Sequence, residues 1–175
     1  MKSIFLFCSI IFPFIVSSYS LSDSKFGSDS IQCITNISLF REYVKQKNYD
    51  DALIHWRKAY ALCPIATKNI YIDGAKLYRH LISKNKAKIE LQKVYLDSLE
   101  LLYDNRIKFF GKENYVLGLK GSDMMKYSFS DLDRAFMYLK QSVEGEQAKS
   151  KATALFSYFK AATEKFKSKS FEKSE

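Results

Sequence analysis

From Ile34 onward, apolar residues recur at three- and four-residue steps, the spacing that puts them on one face of a helix. Ile37, Phe40, Tyr43 and Val44 form the first such stripe, and Lys47-Asn48 breaks it. Asp50 and Asp51 then open a second helix, where carboxylates suit the helix dipole. Ala52, Leu53, Trp56, Ala59 and Tyr60 form its packing face. The stretch from Ile34 to Leu62 therefore predicts a helical hairpin.

The pattern continues. A helix is expected over Thr67–Ile82, with Ile70, Ala75, Leu77, Tyr78 and Leu81 inward. A longer one follows from about Ala87 to Phe110, with Gly111 as its C-terminal cap. Tyr115–Tyr127 starts a third hairpin. Ser130 caps its second helix, which packs through Leu132, Ala135, Phe136, Leu139 and Val143, and Gly145 closes it. A last amphipathic helix is expected over Gln147–Lys167. Its stripe, Ala148, Ala152, Leu155, Phe156, Phe159, Ala162 and Phe166, should cover the end of the assembly.

Within the first hairpin, small and bulky residues alternate at Tyr49, Ala52, Trp56 and Ala59, and Pro64 ends the run. Gly74 lies 34 residues after Phe40. This set resembles the second half of a tetratricopeptide repeat. The resemblance covers Cys33 to about Lys167. It is best in the first repeat's second helix; in the first helix Asn36 stands at the usual aromatic position. Ala135 and Leu139 take the places of Ala52 and Trp56 in the third repeat, with an insertion of about fifteen residues in the second.

The resemblance implies an all-α fold, a right-handed α-solenoid of about three hairpins plus a C-terminal capping helix. It also implies a concave groove lined by the first helix of each repeat, holding an extended peptide or a partner helix. The repeat phase places Ile37, Arg41 and Lys45, then Lys68, Tyr71, Tyr78 and Arg79, then Lys120, Met124 and Tyr127 along that groove. Arg, Lys and Tyr there suit an acidic or aromatic-bearing peptide. Some family members clamp a terminal carboxylate with a Lys and an Asn on the first helix. Ile37 and Arg41 stand at those places, so that capture is not implied.

The flanks refine the domain reading. Lys2 precedes an almost wholly apolar run, Ile4–Val16, and Ser18 and Ser20 follow. Residues 1–20 read as a secretory signal peptide, an uncleaved anchor being the alternative. Residues 21–32 read as a Ser-rich linker, 33–167 as the helical domain and 168–175 as a charged, frayed tail. Export would place the chain in the periplasm or the cell envelope of a bacterium. Loss of the leader leaves 27 Lys and Arg against 19 Asp and Glu. Such a surface favours an acidic protein, with peripheral contact to anionic membrane or glycan as the alternative; nucleic acid is a poor partner outside the cytoplasm.

Cys33 and Cys63 remain after leader removal and flank the first hairpin. Two readings are open: a disulfide across the hairpin ends, or two buried thiols. No catalytic residues, cofactor or metal ligands are expected. His55 and His80 have no histidine or cysteine at ligand spacing, and Gly118–Asp123 lacks the Lys-Ser/Thr ending of a phosphate loop. The chain thus reads as a non-catalytic interaction scaffold rather than an enzyme, with adhesion to an anionic surface as the runner-up.

Overall fold

The computed structural model describes residues 25–127 and 130–172, with side chains through residue 168. The expected signal peptide lies outside these residues, as do positions 21–24 of the linker. The described chain is all-α: α1 (Ser30–Lys45), α2 (Tyr49–Leu62), α3 (Asn69–Lys84), α4 (Ile89–Phe110), α5 (Glu113–Met124), α6 (Leu132–Glu146) and α7 (Ala152–Glu172).

Helices pair in chain order. α1 packs on α2, α3 on α4 and α5 on α6, while α7 lies against both α5 and α6. Contacts between pairs run from α2 and α1 to α3, and from α4 to α5. Short connections force each pair to be antiparallel neighbours. One buried cluster runs from Phe40 on α1 to Val116 on α5, and a smaller one joins Leu139, Ala154 and Ala161 beneath α7.

Local chemistry sets most boundaries. Asp29 caps α1 by accepting from the Gln32 N–H at 2.9 Å, so the helix begins at Ser30, inside the expected linker. Lys47 turns the chain out of α1 at φ 59°, and Gly111 ends α4 at φ 65°. The cap of α6 is Asp131, whose carboxylate accepts from Arg134 N–H at 3.0 Å. Ser130, expected in that role, instead donates to the Met124 and Tyr127 carbonyls at 2.6 and 2.8 Å, fixing the end of the α5–α6 loop. Gly145 does not close α6. The helix runs on to Glu146, and the reversal falls at Gln147, with φ 49°. The last expected helix is split into a 3-10 turn, Gln147–Lys149, and α7, which continues to Glu172 through most of the expected frayed tail.

Cys33 and Cys63 form a disulfide across the ends of the first hairpin, with Cα atoms 6.1 Å apart. Both cysteines are buried. Of the two sequence readings, the bridge is the one that the fold adopts.

The stripe on α7 is where the sequence reading fails. Ala154, Ala161 and the half-buried Tyr158 face the core, with Tyr158 against Phe136 at 5.3 Å between ring centres. Phe156, Phe159 and Phe166 point outward, 70%, 71% and 75% exposed. Small residues win the inner face because α7 crosses close to α5 and α6. A Cβ placed on Gly118 of α5 would stand 3.1 Å from that of Ala154.

Candidate functional site

A groove of about 530 Å³ is lined by residues of α3 and α5, the helices that open the second and third pairs, and of the terminal α7. α3 contributes Arg79, α5 contributes Leu119, Asp123 and Lys126, and α7 contributes Phe156 and Lys160. Its polar floor is a network. Arg79 Nε donates to both Asp123 oxygens at 3.0 and 2.9 Å, and a terminal guanidinium nitrogen donates to the Tyr103 hydroxyl at 2.8 Å. Tyr103 in turn donates to Asp123 Oδ2 at 2.6 Å, and Lys126 Nζ donates to Oδ1 at 2.6 Å.

Burial alone would push the Arg79 guanidinium down. Tyr103 and Asp123 beside it more than offset that, so it stays firmly charged. Burial, and then the Asp123 charge, push the Tyr103 hydroxyl far above its ordinary range, so it stays a neutral donor. Asp123 is almost wholly buried and shared by two cations, which makes the floor net positive: Arg79 and Lys126 against one carboxylate. Lys160 adds a further cation at the rim, its Nζ 3.8 Å from Glu164.

A second polar cluster sits behind the first. Arg134 of α6 donates to both oxygens of Glu100 at 2.7 Å, and buried Lys120 donates to Asp104 at 2.7 Å with its ammonium over the Tyr138 ring at 4.5 Å. Burial raises the Glu100 carboxyl above its ordinary range despite Arg134 and Lys120. These paired charges tie α4, α5 and α6 together. Among the described residues no group of three or more His, Cys, Asp or Glu is placed to hold a metal ion.

The residues expected in a groove divide. Arg79 lines the α3–α5–α7 groove, and half-buried Tyr127 lines a neighbouring hollow that shares Lys160. Arg41 and Lys45 are exposed on α1, away from the groove, with Lys45 paired to Glu42. Lys68 is exposed beside a different pocket. Tyr71, Lys120 and Met124 are core residues and line no open groove. Tyr78 is half-buried, edge-on to Trp56. α4 is 22 residues long against 14 in α2, so a fixed sequence spacing does not carry an inward or outward position from one pair to the next.

Sequence reasoning missed Asp123, Lys126, Phe156 and Lys160. The three-residue spacing of Asp123 and Lys126 was a visible signal for a helix-surface ion pair. The packing residues fare better. Ala52, Trp56, Ala59, Gly74, Ala135 and Leu139 are all buried, and Tyr49 and Pro64 are half-buried at the ends of α2.

No protein-family model matches the chain, and no curated protein or solved structure matches it. The tetratricopeptide resemblance therefore stands on the sequence pattern alone, chiefly Tyr49, Ala52, Trp56, Ala59, Pro64 and Gly74. No described helix is long and apolar enough to cross a membrane.

Proposed function

We propose that the protein is a non-catalytic interaction scaffold, an α-solenoid of three tetratricopeptide-like hairpins with α7 as the terminal helix. In this reading it holds an acidic segment of a partner protein in the groove across α3, α5 and α7. The observation that carries the reading is the composition of that groove. A net-positive floor of Arg79, Asp123 and Lys126 lies beside the open ring of Phe156 and the ammonium of Lys160. Acidic side chains meet cations there, and an apolar one meets a flat aromatic face. Export to a bacterial envelope is part of the proposal, and the buried disulfide suits an oxidising compartment.

The test is binding of a panel of fluorescent Asp- and Glu-rich peptides, with and without an aromatic residue. Lys126→Glu combined with Lys160→Glu should weaken capture by at least tenfold. Reversing Lys58, Lys93 and Lys140, which lie on α2, α4 and α6, should weaken it far less. Equal loss from both sets would reduce the effect to net charge and end the groove reading.

One observation favours a second reading, adhesion to an anionic membrane surface. Phe159 and Phe166, seven residues apart, run parallel to Lys160 and Lys167, so α7 presents an apolar ridge flanked by lysines. Sedimentation with vesicles containing phosphatidylserine would support this reading if it is abolished by Phe159→Ser. It would fail if phosphatidylcholine vesicles alone bind equally.

A further inference from the structure

The second large cavity, about 610 Å³, lies at one end of the helices. It is an open hollow bordered by the start of α3, the end of α4, the start of α5, the end of α6 and the 3-10 turn that follows. Four of its lining side chains are cations, Lys68, Arg106, Lys112 and Lys149, and one is a carboxylate, Glu146. Its wall also holds Gly111 and Lys112, both at positive φ, so the chain turns sharply around the opening.

Arg106 sets this cavity apart from a solvated basic patch. It is only 7% exposed, yet among the described residues no carboxylate comes within ion-pair distance. Its guanidinium stands over the Tyr115 ring, 5.6 Å from the centroid. Burial pushes the guanidinium down and outweighs what favours its charge, which comes from neutral tyrosines alone: Tyr115, to which it is also hydrogen-bonded, and Tyr103. Among the described residues the other buried cation, Lys120, has Asp104, and the half-buried Arg79 has Asp123. A buried charge left unpaired is costly, and the cost is recovered when a counter-ion arrives.

A second feature converges on the same place. α5 starts at the cavity wall, and no side chain caps its first-turn N–H groups, although Glu113 lies in that turn. Such a helix start attracts negative charge. A planar fork of guanidinium donors, an uncapped helix start and three lysines suit an oxyanion. Their excess of positive charge over Glu146 exceeds what one carboxylate would neutralise and suits a dianion.

We propose that this cavity is a binding site for a phosphoryl group, with buried Arg106 as its central ligand and Lys68, Lys112 and Lys149 around the rim. The site is separate from the α3–α5–α7 groove and does not depend on the scaffold reading. A free phosphate monoester and a phospholipid headgroup present the same chemistry.

The experiment is thermal denaturation and titration calorimetry of the disulfide-intact protein. The probes are inorganic phosphate, glycerol 3-phosphate and monomeric short-chain phosphatidic acid, with sodium acetate at matched ionic strength as reference. Phosphate compounds should raise the melting temperature in a dose-dependent way, and acetate should not. Arg106→Gln should weaken binding by at least tenfold. Because Arg106 is buried, Lys68→Gln combined with Lys112→Gln supplies an independent variant at exposed positions, expected to weaken binding several-fold. Equal affinity for glycerol 3-phosphate and phosphatidic acid would identify the phosphoryl group itself as the determinant; tighter phosphatidic acid binding would identify a lipid source. The proposal is overturned if acetate stabilises as well as phosphate, or if both variants bind phosphate like the parent.

Discussion

The indole of Trp56 lies directly on Gly74. A Cβ built on Gly74 would stand 2.6 Å from Trp56 Cζ2 and 2.8 Å from Nε1. The indole N–H donates to the Ile70 carbonyl at 2.7 Å, one turn earlier on α3. Tyr60 stacks on the indole at 5.2 Å between ring centres, and Trp56 is 2% exposed. This one side chain joins the first helical pair to the second, and it fits only because position 74 has no side chain.

Gly74→Ala should therefore destabilise the protein, although alanine is the better helix former by about 1 kcal/mol. The added methyl meets a ring with no room to shift, an overpacking cost of about 1–3 kcal/mol. Trp56→Ala should cost about 3–5 kcal/mol. Urea unfolding of both variants decides the matter; a Gly74→Ala variant more stable than the parent would mean that the indole is not seated there.

The Cys33–Cys63 bridge closes a separation of 30 residues at the free end of the helical array. In the chain-entropy model such a loop contributes about 3–4 kcal/mol. The Cys33→Ser, Cys63→Ser double variant should lose a comparable amount. Hydrogen exchange should show the loss concentrated in α1 and α2. Intact mass after alkylation without reduction should reveal no label at either position.

Tyr71 is wholly buried among Tyr60, Phe109 and Phe110, and its hydroxyl has no hydrogen-bond partner among the described residues. A buried hydroxyl without a partner costs about 1–3 kcal/mol. Tyr71→Phe is expected to leave stability unchanged or raise it by up to about 1 kcal/mol. A loss beyond about 1 kcal/mol would point to an acceptor that this packing does not provide.

Tyr103 gives the alkaline limb of the stability curve. Its folded-state hydroxyl is raised, first by burial and then by Asp123, whereas an unfolded tyrosine titrates near pH 10. The stabilisation is therefore fully present below pH ~10 and is lost as pH rises above it, because the unfolded chain releases the proton first. Each such tyrosine should add a slope of about 1.4 kcal/mol per pH unit above that point. Tyr103→Phe removes one such contribution. Denaturant unfolding between pH 9 and 11 should show a shallower decline for this variant than for the parent.

The two faces of α7 give a paired test. Phe159→Ser, on the outer face, should change stability by less than about 0.5 kcal/mol. Ala161→Leu, on the inner face, should cost about 1–3 kcal/mol through overpacking against α6. The reverse ranking in a thermal melt would restore the aromatic stripe as the buried one.

By itself the sequence determined the helices, their order and the first pairing. Apolar spacing, Asp50 and Asp51 after the Lys47-Asn48 turn, and Gly111 past Phe110 act within a few residues and require no partner. The bridge between Cys33 and Cys63 was half-legible, because hairpin geometry brings the two positions together but leaves the oxidation state open. Which stripe of α7 faces inward was decided only by tertiary packing. Both faces carry apolar residues, and the close crossing over Gly118 admits Ala154 but not a phenylalanine. The same holds for charge. Arg79 and Arg106 are equivalent as letters in the chain, but one meets Asp123 across 44 residues and the other meets no carboxylate among the described residues. That pairing depends on how α3, α4 and α5 pack, because a buried charge takes its character from neighbours that sequence distance does not reveal.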